Sequence, residues 1–295
     1  MINKESTDKV YIVTLNFNGY EYTDELLNSL YELSYPDISI IVVDDFSSDN
    51  SVELLKLYHP NIELICNEKN LNYCRSFNVG IRKALAQGAD YIFVINNDTK
   101  DFSSNYFEEI LSTFKADLSI GMVGSKCYDY NQGVRRDETG SLRFGISMDT
   151  PTEGYVIKKE TFEKIGLFNE KLKIYFEDLD FIVRMRQAGL KTAINTNVSF
   201  KHYGGGTTSK IIFMTNFMRI RNLFLFTRKY GGNLALNYRL NEVKGNLGVH
   251  LYRFTTAVKK FQLLKVLKLA LAINLGILAG ILTPLKLIWR NNGES

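Results

Sequence analysis

The 295-residue sequence is poor in cysteine and proline, and both shortages exclude classes of protein. Its three cysteines, Cys66, Cys74 and Cys127, are an odd number without CxxC spacing. They exclude a disulfide scaffold and a zinc ribbon, and they fit a reducing compartment. Four prolines exclude a proline-rich linker and a collagen-like repeat. The polar start, MINKESTDKV, predicts no cleavable export signal.

Acidic residues are almost missing from the last part of the chain. Residues 181–295 hold 18 of the 36 Lys and Arg residues but only two of the 32 acidic residues, Glu242 and Glu294. The first part of the chain is correspondingly acidic. This division predicts a catalytic body followed by a segment that faces an anionic partner, for which nucleic acid and an anionic membrane leaflet are the candidates.

Apolar runs and amphipathic segments alternate through residues 10–95. The pattern predicts buried strands at Val10–Leu15, Ile38–Val43, Ile62–Cys66 and Tyr91–Ile95. It predicts helices from an N-cap at Thr23 to Leu33, from Asp49 or Ser51 to Leu57, and from Asn78 to Gln87 before Gly88. Alternating strands and helices indicate an α/β fold with a mainly parallel twisted sheet and helices on both faces.

The middle of the chain is less regular. We expect a strand at Gly121–Ser125, a polar loop over 126–150, a short helix at Glu160–Gly166, a helix from Glu177 to Gly189 and a last strand at Val198–Phe200. No repeat of solenoid length is present in the sequence.

Three of the predicted strands end in polar clusters. Asn16 and Asn18 follow the first strand, Asp44 and Asp45 follow the second, and residues 96–98 (Asn-Asn-Asp) follow the fourth. Asn and Asp are common in turns, but open α/β sheets bind ligands beyond the carboxyl ends of their strands. Three such clusters favour a binding site. A carboxylate in the last cluster suits a divalent cation that also takes phosphate oxygens as ligands.

An acidic run at 175–180 (Tyr-Phe-Glu-Asp-Leu-Asp) has two interpretations. Its carboxylates, Glu177, Asp178 and Asp180, lie at a predicted helix start, where the helix dipole stabilises negative charge. They are therefore either an acidic cap or a general base whose acidic neighbours raise its pKa. The two aromatic residues beside them suit the wall of a sugar-binding site.

His202 also has two interpretations, as a structural hydrogen-bonding group or as a ligand. Three glycines, Gly204–Gly206, follow it, and Thr207, Thr208 and Lys210 add hydroxyls and a cation. Glycine backbone can move and can approach a phosphate closely. This segment therefore favours a flexible lid over a diphosphate.

Seven stretches, in order along residues 10–230, carry a resemblance to a known family. They read IVTLNFNGYEYTDELLNSL, IIVVDDFSSDNSVELL, NEKNLNYCRSFNVGIRKAL, DYIFVINNDT, EKIGLFNEKLKIYFEDLDFIVRMRQAGLK, HYGGGTTSK and RIRNLFLF. The chain resembles family 2 glycosyltransferases, and most of all the rhamnosyltransferase-like members that build bacterial surface polysaccharides. The resemblance implies the GT-A fold and a glycosyltransferase that uses a nucleotide sugar.

The resemblance implies a role for each position that matches a family motif. The residues that would bind the nucleotide sugar are Thr14, Asn16, Asp45, Asn78, Asn97 and Asp98. Asp98 stands in the place of the family's DxD motif and would hold Mg²⁺ or Mn²⁺, with His202 completing the metal site. Asp178 would be the catalytic base. Glu177 and Asp180 would bind acceptor hydroxyls or orient that base.

The chain departs from the family pattern in several places. Asn72-Tyr73 replaces a common Gly-Phe pair, and Cys74-Arg75-Ser76 replaces small residues, which affects the detail of the donor pocket. Asn96 replaces the first aspartate of a strict DxD motif. Asn169 replaces an aspartate before the acidic run, a change with little expected effect on the chemistry.

The resemblance implies an inverting, metal-dependent transfer to a saccharide acceptor, with dTDP-rhamnose or a UDP-sugar as donor and a lipid-linked acceptor. The motifs include no Ser-His-Asp or Cys-His set for a covalent enzyme intermediate, so a single displacement is expected. A catalytically silent nucleotide-sugar-binding subunit is the alternative. A nucleotidyltransferase would need a Gly-rich basic loop after the first strand, which NFNGYEY lacks.

These predictions divide the chain into a catalytic domain at 1–230, with a nucleotide-sugar half about 1–100 and an acceptor half about 101–230, and a basic aliphatic helical segment at 231–295. The uncharged run Leu269–Leu285 is at the short limit of a membrane span. It predicts either an interfacial helix or a helical hairpin that packs on protein, including a second copy of the chain. The run is too aliphatic for nucleic acid. We therefore expect a cytoplasmic protein, peripheral at the inner face of the plasma membrane.

Overall fold

The computed structural model describes residues 7–130, 142–143, 146–147, 153–203, 212–230 and 263–288. The chain divides into two compact units. Unit 1 comprises Met1–Ser141, Ser147–Phe168 and Phe181–Thr207, and unit 2 comprises Leu142–Ile146, Asn169–Asp180 and Thr208–Ser295. The predicted domain boundary near residue 230 borders segment 231–262, which lies outside the described residues, so that division stays a prediction.

The strands are β1 (Val10–Asn16), β2 (Ile38–Asp44), β3 (Glu63–Cys66), β4 (Tyr91–Ile95), β5 (Thr99–Lys100), β6 (Ile120–Asp129), β7 (Leu142–Arg143), β8 (Ile146–Ser147), β9 (Gly154–Lys158) and β10 (Lys191–His202). The helices are α1 (Tyr20–Tyr31), α2 (Ser51–Tyr58), α3 (Tyr73–Ala86), α4 (Tyr106–Ala116), α5 (Lys159–Ile165), α6 (Glu177–Gln187), α7 (Ile212–Tyr230), α8 (Leu263–Leu282) and α9 (Leu285–Ile288). Strands β7 and β8 form a separate short pair.

Eight described strands form the sheet of unit 1, in the order β3-β2-β1-β4-β9-β6-β10-β5. Strands β3, β2, β1 and β4 are parallel, with Asn16 of β1 beside Asp44 of β2. Strand β9 is antiparallel to both β4 and β6, while β6 and β10 are parallel. The arrangement confirms the predicted fold class, and it places the ends of β1, β2 and β4 at one edge of the sheet.

Helices cover both faces of the sheet because neighbouring strand residues point to opposite sides. Ile12 of β1 packs in a buried cluster with Leu26 of α1 and Phe107 of α4. On the other face, α3 approaches β1 so closely that a Cβ at Gly80 would lie 2.5 Å from the Cγ1 atom of Val13. The glycine therefore permits the close contact of helix and sheet.

Two predicted helix starts are wrong. Helix α1 begins at Tyr20, so Thr23 lies inside it and is not its N-cap. The Thr23 hydroxyl instead donates to Asn16 Oδ1 at 2.8 Å, a tertiary contact that propensity does not reveal. Helix α3 begins at Tyr73, five residues before the predicted start, directly after Asn72, whose φ is 69°.

The second half of the sheet also differs from what the sequence predicts. Residues 126–129, predicted as loop, continue β6, and the predicted short strand at 198–200 is part of β10. Strands β6 and β10 pair in parallel over this added length, with a register shift between Asn195 and Ser199. Strand β9 and helix α4 are additional elements that the sequence analysis did not predict. The remainder of the predicted loop lies largely outside the described residues.

In unit 2, α7 and α8 pack against each other through glycines of α8. A Cβ at Gly276 would lie 2.9 Å from the carbonyl oxygen of Phe217, and one at Gly280 would overlap Phe224. The Arg228 guanidinium donates to the carbonyl oxygen of Gly280 at 2.7 Å and so binds the end of α8. Among the residues described, no helix has the length and apolar character needed to cross a membrane.

Candidate active site

A hydrogen-bonded network joins the ends of β1, β2 and β4. Asn16 Nδ2 donates to Asp44 Oδ2 at 2.7 Å, while Asn16 Oδ1 accepts from the Thr23 hydroxyl. Asn97 Nδ2 donates to the same Thr23 hydroxyl oxygen at 3.0 Å. Asn16 and Asn97, predicted from separate strand ends, are therefore linked through one threonine.

Thr14 lies on β1, two residues before Asn16, and is fully buried. Its Oγ1 atom has no hydrogen-bond partner among the residues that the structure describes. A buried hydroxyl without a partner is destabilising, so a bound molecule that reached it would satisfy it. The role of Thr14 in donor binding stays a prediction.

Asp45, buried at the end of β2, organises the loop before α3. Its Oδ1 atom accepts from Leu71 N at 2.7 Å, from the Ser76 hydroxyl at 2.7 Å and from Asn67 Nδ2 at 3.0 Å. Its Oδ2 atom accepts from Asn72 N at 3.1 Å. A carboxylate with this many donors is strongly held in place. Asp45 therefore fixes the loop wall beside the sheet edge, in addition to its predicted contact with the nucleotide.

Asn78 on α3 clamps a distant part of unit 1. Its side-chain Nδ2 donates to the carbonyl oxygen of Phe168 at 2.9 Å, and its Oδ1 accepts from the amide of Phe168 at 3.1 Å. Both ends of the buried amide are thus paired with one backbone residue. This arrangement holds residue 168, directly before the segment that leads to the acidic run.

Asp98 and His202 meet because β5 pairs with β10. Thr99 lies opposite His202 in this short antiparallel pair, and Tyr203 N donates to the carbonyl oxygen of Asp98 at 2.9 Å. His202 Nε2 lies 3.0 Å from Asp98 Oδ1, and both residues are buried. Positions 98 and 202, chosen from separate motifs, therefore lie within hydrogen-bonding distance of each other.

The carboxylate of Asp98 and the imidazole of His202 are suitable ligands for a divalent cation whose other ligands are diphosphate oxygens. No group of three or more His, Cys, Asp or Glu side chains within the described ranges is arranged to hold a metal ion. The predicted lid, with Gly204–Gly206, Thr207, Thr208 and Lys210, lies outside the described residues.

A basic and aromatic cluster borders the Asp98–His202 pair. Lys100 Nζ contacts Glu25 at 2.8 Å and lies 4.3 Å from the ring centre of Tyr130 and 4.8 Å from that of Tyr203. The hydrogen bond from Lys100 lowers the pKa of Glu25, against the opposing effect of burial. Burial alone would lower the pKa of Lys100, but its bonds to Glu25 and the two tyrosines raise it. These charges hold β5 and the start of the segment after His202 against α1.

The acidic run of unit 2 begins α6 after an unusual backbone. Lys173, Tyr175 and Phe176 have φ values of 67°, 66° and 69°, in the left-handed region that non-glycine residues rarely adopt. Such conformations persist only where surrounding contacts impose them, and they are frequent at functional sites. The sequence does not reveal this strain, since none of the three residues is glycine.

The three carboxylates of this run differ in exposure. Glu177 is buried, and Asp180 is fully buried, whereas Asp178 is half-buried. Asp178 Oδ1 accepts from Leu179 N at 2.7 Å, which fixes one oxygen at the start of the helix. Asp178 is therefore the member of the run whose side chain is most accessible to a substrate.

One face of α7 holds this segment, and sequence reasoning missed it. Asn222, Phe226 and Tyr230 are spaced by four residues, which places them on the same side of a helix. The buried Asn222 amide donates to the carbonyl oxygens of residues 172, 174 and 175. The ring of Phe226 packs on Phe176, and the Tyr230 hydroxyl donates to Asp180 Oδ1 at 2.8 Å. The spacing within RNLFLFTRKY was the available signal.

The fold and the matched residues define a class of protein. The chain belongs to glycosyl transferase family 2, whose sequence profile matches residues 11–189. It is a glycosyltransferase with the GT-A fold, as the resemblance implied. Among curated relatives, the dTDP-rhamnosyl transferase RfbF of Shigella flexneri is 26% identical over 248 residues, which are 74% of this chain and 81% of that protein.

Solved structures support the fold. The mannosyltransferase PcManGT from Pyrobaculum calidifontis, in complex with GDP-Man and Mn²⁺, superposes with a TM-score of 0.59 at 13% identity and covers 94% of this chain and 88% of that one. Residues 1–349 of S. aureus TarS, in complex with UDP-GlcNAc, superpose with a TM-score of 0.54 at 16% identity. The match covers 72% of this chain and 67% of that one. At these identities the likeness concerns the fold alone.

Proposed function

We propose that this glycosyltransferase moves a sugar from a nucleotide diphosphate sugar to a saccharide acceptor in bacterial surface polysaccharide synthesis, with inversion and with a divalent cation. The observation that carries the proposal is the Asp98–His202 pair, 3.0 Å apart, at the carboxyl-end edge of the sheet. Ligands of open α/β sheets bind at this edge. Residues that would line the donor site are Thr14, Asn16, Asp45, Asn97 and Asp98, and Asn78 would support that site by holding the main chain of Phe168.

The proposed donor is dTDP-rhamnose, with a UDP-sugar as the second candidate. The first rests on the relative that is named a dTDP-rhamnosyl transferase and that the chain matches over most of its length. The second rests on the structural neighbour in complex with UDP-GlcNAc. The organised wall formed by Asp45 and the loop at 67–76 suits a nucleotide, since its backbone is already fixed.

Asp98 and His202 would hold Mg²⁺ or Mn²⁺, and a structural neighbour with bound Mn²⁺ supports this choice. When bound, the cation neutralises charge that develops on the leaving diphosphate. The buried Asp98 carboxylate orients the donor diphosphate towards the sheet edge. Tyr203 N fixes the main chain at Asp98, and β5 fixes the place of His202.

Asp178 would take the proton of the acceptor hydroxyl. General-base catalysis needs a carboxylate that reaches the reacting hydroxyl, and Asp178 is the more accessible carboxylate of the acidic run. Asp180, buried and bound by the Tyr230 hydroxyl, would orient the start of α6, and Glu177 would do so or bind an acceptor hydroxyl. The displaced diphosphate leaves on the face opposite the attacking oxygen.

We also propose that the enzyme lies at the inner face of the plasma membrane and uses a lipid-linked acceptor. Helix α8 exposes four leucines, Leu271, Leu275, Leu278 and Leu282. We call this row of side chains the leucine line. The spacing of four, three and four places these residues on one side, while Gly276 and Gly280 pack on α7. Lys268 is exposed at the start of the line, and no acidic residue occurs between 243 and 293. This combination suits an anionic lipid surface.

The experiment that tests the proposed activity is a panel of nucleotide sugars incubated with the purified full chain, with Mn²⁺ and with EDTA. Release of the nucleoside diphosphate, with and without saccharide acceptors, is measured for each donor. We expect turnover with one donor, with dTDP-rhamnose as the first candidate, and we expect that turnover to be lost in EDTA. Donor binding without turnover on any acceptor would support the alternative, a silent nucleotide-sugar-binding subunit.

A further inference from the structure

Glu153 lies against the turn at 96–98, although nothing in the sequence distinguishes it. It directly precedes β9, whose Gly154 pairs with Ile95 at the end of β4. A Cβ at Gly154 would overlap Ile95, so the backbone of this strand start lies close against β4. The main-chain N–H of Asn96 donates to the main-chain carbonyl oxygen of Glu153 at 3.3 Å. Strand pairing therefore brings a carboxylate to the edge where Asp98 lies.

The backbone of Glu153 is held in a conformation that its residue type disfavours. Its φ is 66°, in the left-handed region, where a side chain collides with its own backbone. Glycine would adopt this conformation freely, but the chain has glutamate here. Such strain persists only where the surrounding structure imposes it, and it is frequent at functional sites.

The side chains of Glu153 and Asn96 are matched to each other. Asn96 Nδ2 donates to Glu153 Oε2 at 3.0 Å, and Asn96 Oδ1 accepts from the Tyr73 hydroxyl at 2.8 Å. Both the nitrogen and the oxygen of the Asn96 side-chain amide are hydrogen-bonded, so the orientation of this side chain is fixed. A carboxylate at position 96 would instead face Glu153 with like charge at hydrogen-bonding distance. Asparagine at 96 and glutamate at 153 therefore depend on each other.

Glu153 also faces the Asp98–His202 pair. Its Oε2 atom lies 3.6 Å from His202 Nε2, the same nitrogen that lies 3.0 Å from Asp98 Oδ1. The side chain of His202 is 5% exposed, that of Asp98 11% and that of Glu153 30%. Two carboxylates thus approach one imidazole nitrogen in a setting where solvent screens them only partly.

We propose that Glu153 is a positioning residue of the metal site, and that it contributes the second carboxylate charge that Asn96, as an amide, lacks. It orients the side chain of Asn96, and through it the turn that carries Asp98, and it faces the imidazole of His202. The inference rests on the metal-dependent transfer proposed above. Groups that orient metal ligands in this way commonly change metal affinity when they are replaced.

The test uses the full chain and measures Mn²⁺ affinity by electron paramagnetic resonance in the presence of dTDP or UDP. Glu153→Gln keeps the size and an acceptor oxygen but removes the charge, and it is expected to weaken Mn²⁺ binding by roughly 10–100-fold. The matched control is Glu163→Gln on α5, an exposed glutamate, which should bind Mn²⁺ as the wild type does.

An exchange of the two groups sharpens the test. Asn96→Asp alone should lower the melting temperature without metal, because two carboxylates then face each other. The double variant Asn96→Asp/Glu153→Gln again pairs one carboxylate with one amide, so it should recover the melting temperature and most of the Mn²⁺ affinity lost in Glu153→Gln. If Glu153→Gln does not fold, Glu153→Asp replaces it, and the shortened side chain should weaken Mn²⁺ binding to a lesser degree.

The outcomes separate this inference from the proposed function. Wild-type Mn²⁺ affinity in Glu153→Gln, in a protein whose wild type binds Mn²⁺ and needs it for turnover, overturns the role of Glu153 alone. A double variant no better than Glu153→Gln overturns the pairing with Asn96. A wild type that binds no Mn²⁺ and transfers sugar in EDTA overturns both the metal dependence and the inference built on it.

Discussion

The buried side-chain amide of Asn222 donates a hydrogen bond to the main-chain oxygen of Tyr175 at 3.0 Å. The same nitrogen donates to the carbonyl oxygens of Leu172 and Ile174, both at 2.8 Å. One side chain of α7 therefore binds three carbonyl groups of the segment that leads into α6. Because this segment contains left-handed residues, its shape depends on such contacts. Asn222 thus connects α7 to the geometry of the acidic run.

Replacing Asn222 with aspartate tests this connection. Asn222→Asp keeps the shape but removes the donor and places negative charge against carbonyl oxygens, so the segment should shift. We expect kcat to fall on the order of 100-fold, the scale of a misplaced catalytic group, while donor affinity stays unchanged. Steady-state kinetics and donor titration measure the two quantities. The control, Asn274→Asp, alters an exposed asparagine on α8. A lower melting temperature with normal kcat would contradict a positioning role.

Removal of the carboxylate proposed to bind the metal should weaken donor binding. Asp98→Ala should raise the donor dissociation constant in Mn²⁺, and EDTA should reproduce that loss in the wild type, since Asp98 would hold a divalent cation that stabilises the charge of the donor diphosphate. His202→Ala should have a smaller effect. Asp101→Asn, three residues further on, removes a half-exposed negative charge paired with Lys201, suits the positive φ of this position and serves as the control. Undiminished activity in EDTA would exclude a metal-dependent mechanism.

The configuration of the product tests the single displacement. An acceptor hydroxyl activated by a carboxylate attacks the anomeric carbon opposite the leaving diphosphate, so the product should have the inverted configuration. Proton and carbon NMR of the purified glycoside, compared with the anomeric configuration of the donor, determines it. Retained configuration would require two successive displacements or a different reaction path, and it would contradict the role proposed for Asp178.

The leucine line of α8 should govern binding to lipid. Leu271→Glu/Leu275→Glu places two charges on this exposed surface, and we expect it to lose sedimentation with anionic vesicles at low salt. Leu118→Glu, at a leucine that is 81% exposed in unit 1, is the control and should bind as the wild type does. Melting curves confirm folding. A full-length wild type that stays in the supernatant would contradict the membrane proposal, and if the double variant also converted an oligomer to a monomer, α8 would be a subunit interface.

The first four predicted strands are confirmed because each is a short apolar run with few alternative structures. β1, β2, β3 and β4 all begin and end within two residues of their predicted bounds. The same reasoning missed β9, a five-residue strand that pairs with β4 and β6 across long sequence separations. Helix starts were less predictable, since Thr23 has a typical N-cap residue type but its hydroxyl binds Asn16.

Residues that occur in motifs could be selected from the sequence, whereas residues that hold them could not. Asp98 and His202 belong to motifs, and the structure brings them together through the pairing of β5 and β10. Glu153 and Asn222 act through strand pairing and helix packing, and neither residue type is unusual at its position. Their place beside the site follows only from tertiary structure. The roles assigned to all four residues stay predictions that the variants above test.

The central claim is that Asp178 carries out the proton transfer, and the most direct measurement is the transfer rate of Asp178→Asn with the donor identified in the panel. The variant keeps the side-chain shape, and donor affinity, measured by titration, should be unchanged. Transfer should fall by roughly 10²–10⁴-fold, the scale expected when a general base is lost. Asp117→Asn, which alters an exposed carboxylate paired with Lys191, should remain fully active. Near-normal transfer by Asp178→Asn would contradict the account and assign the base to Glu177 or Asp180.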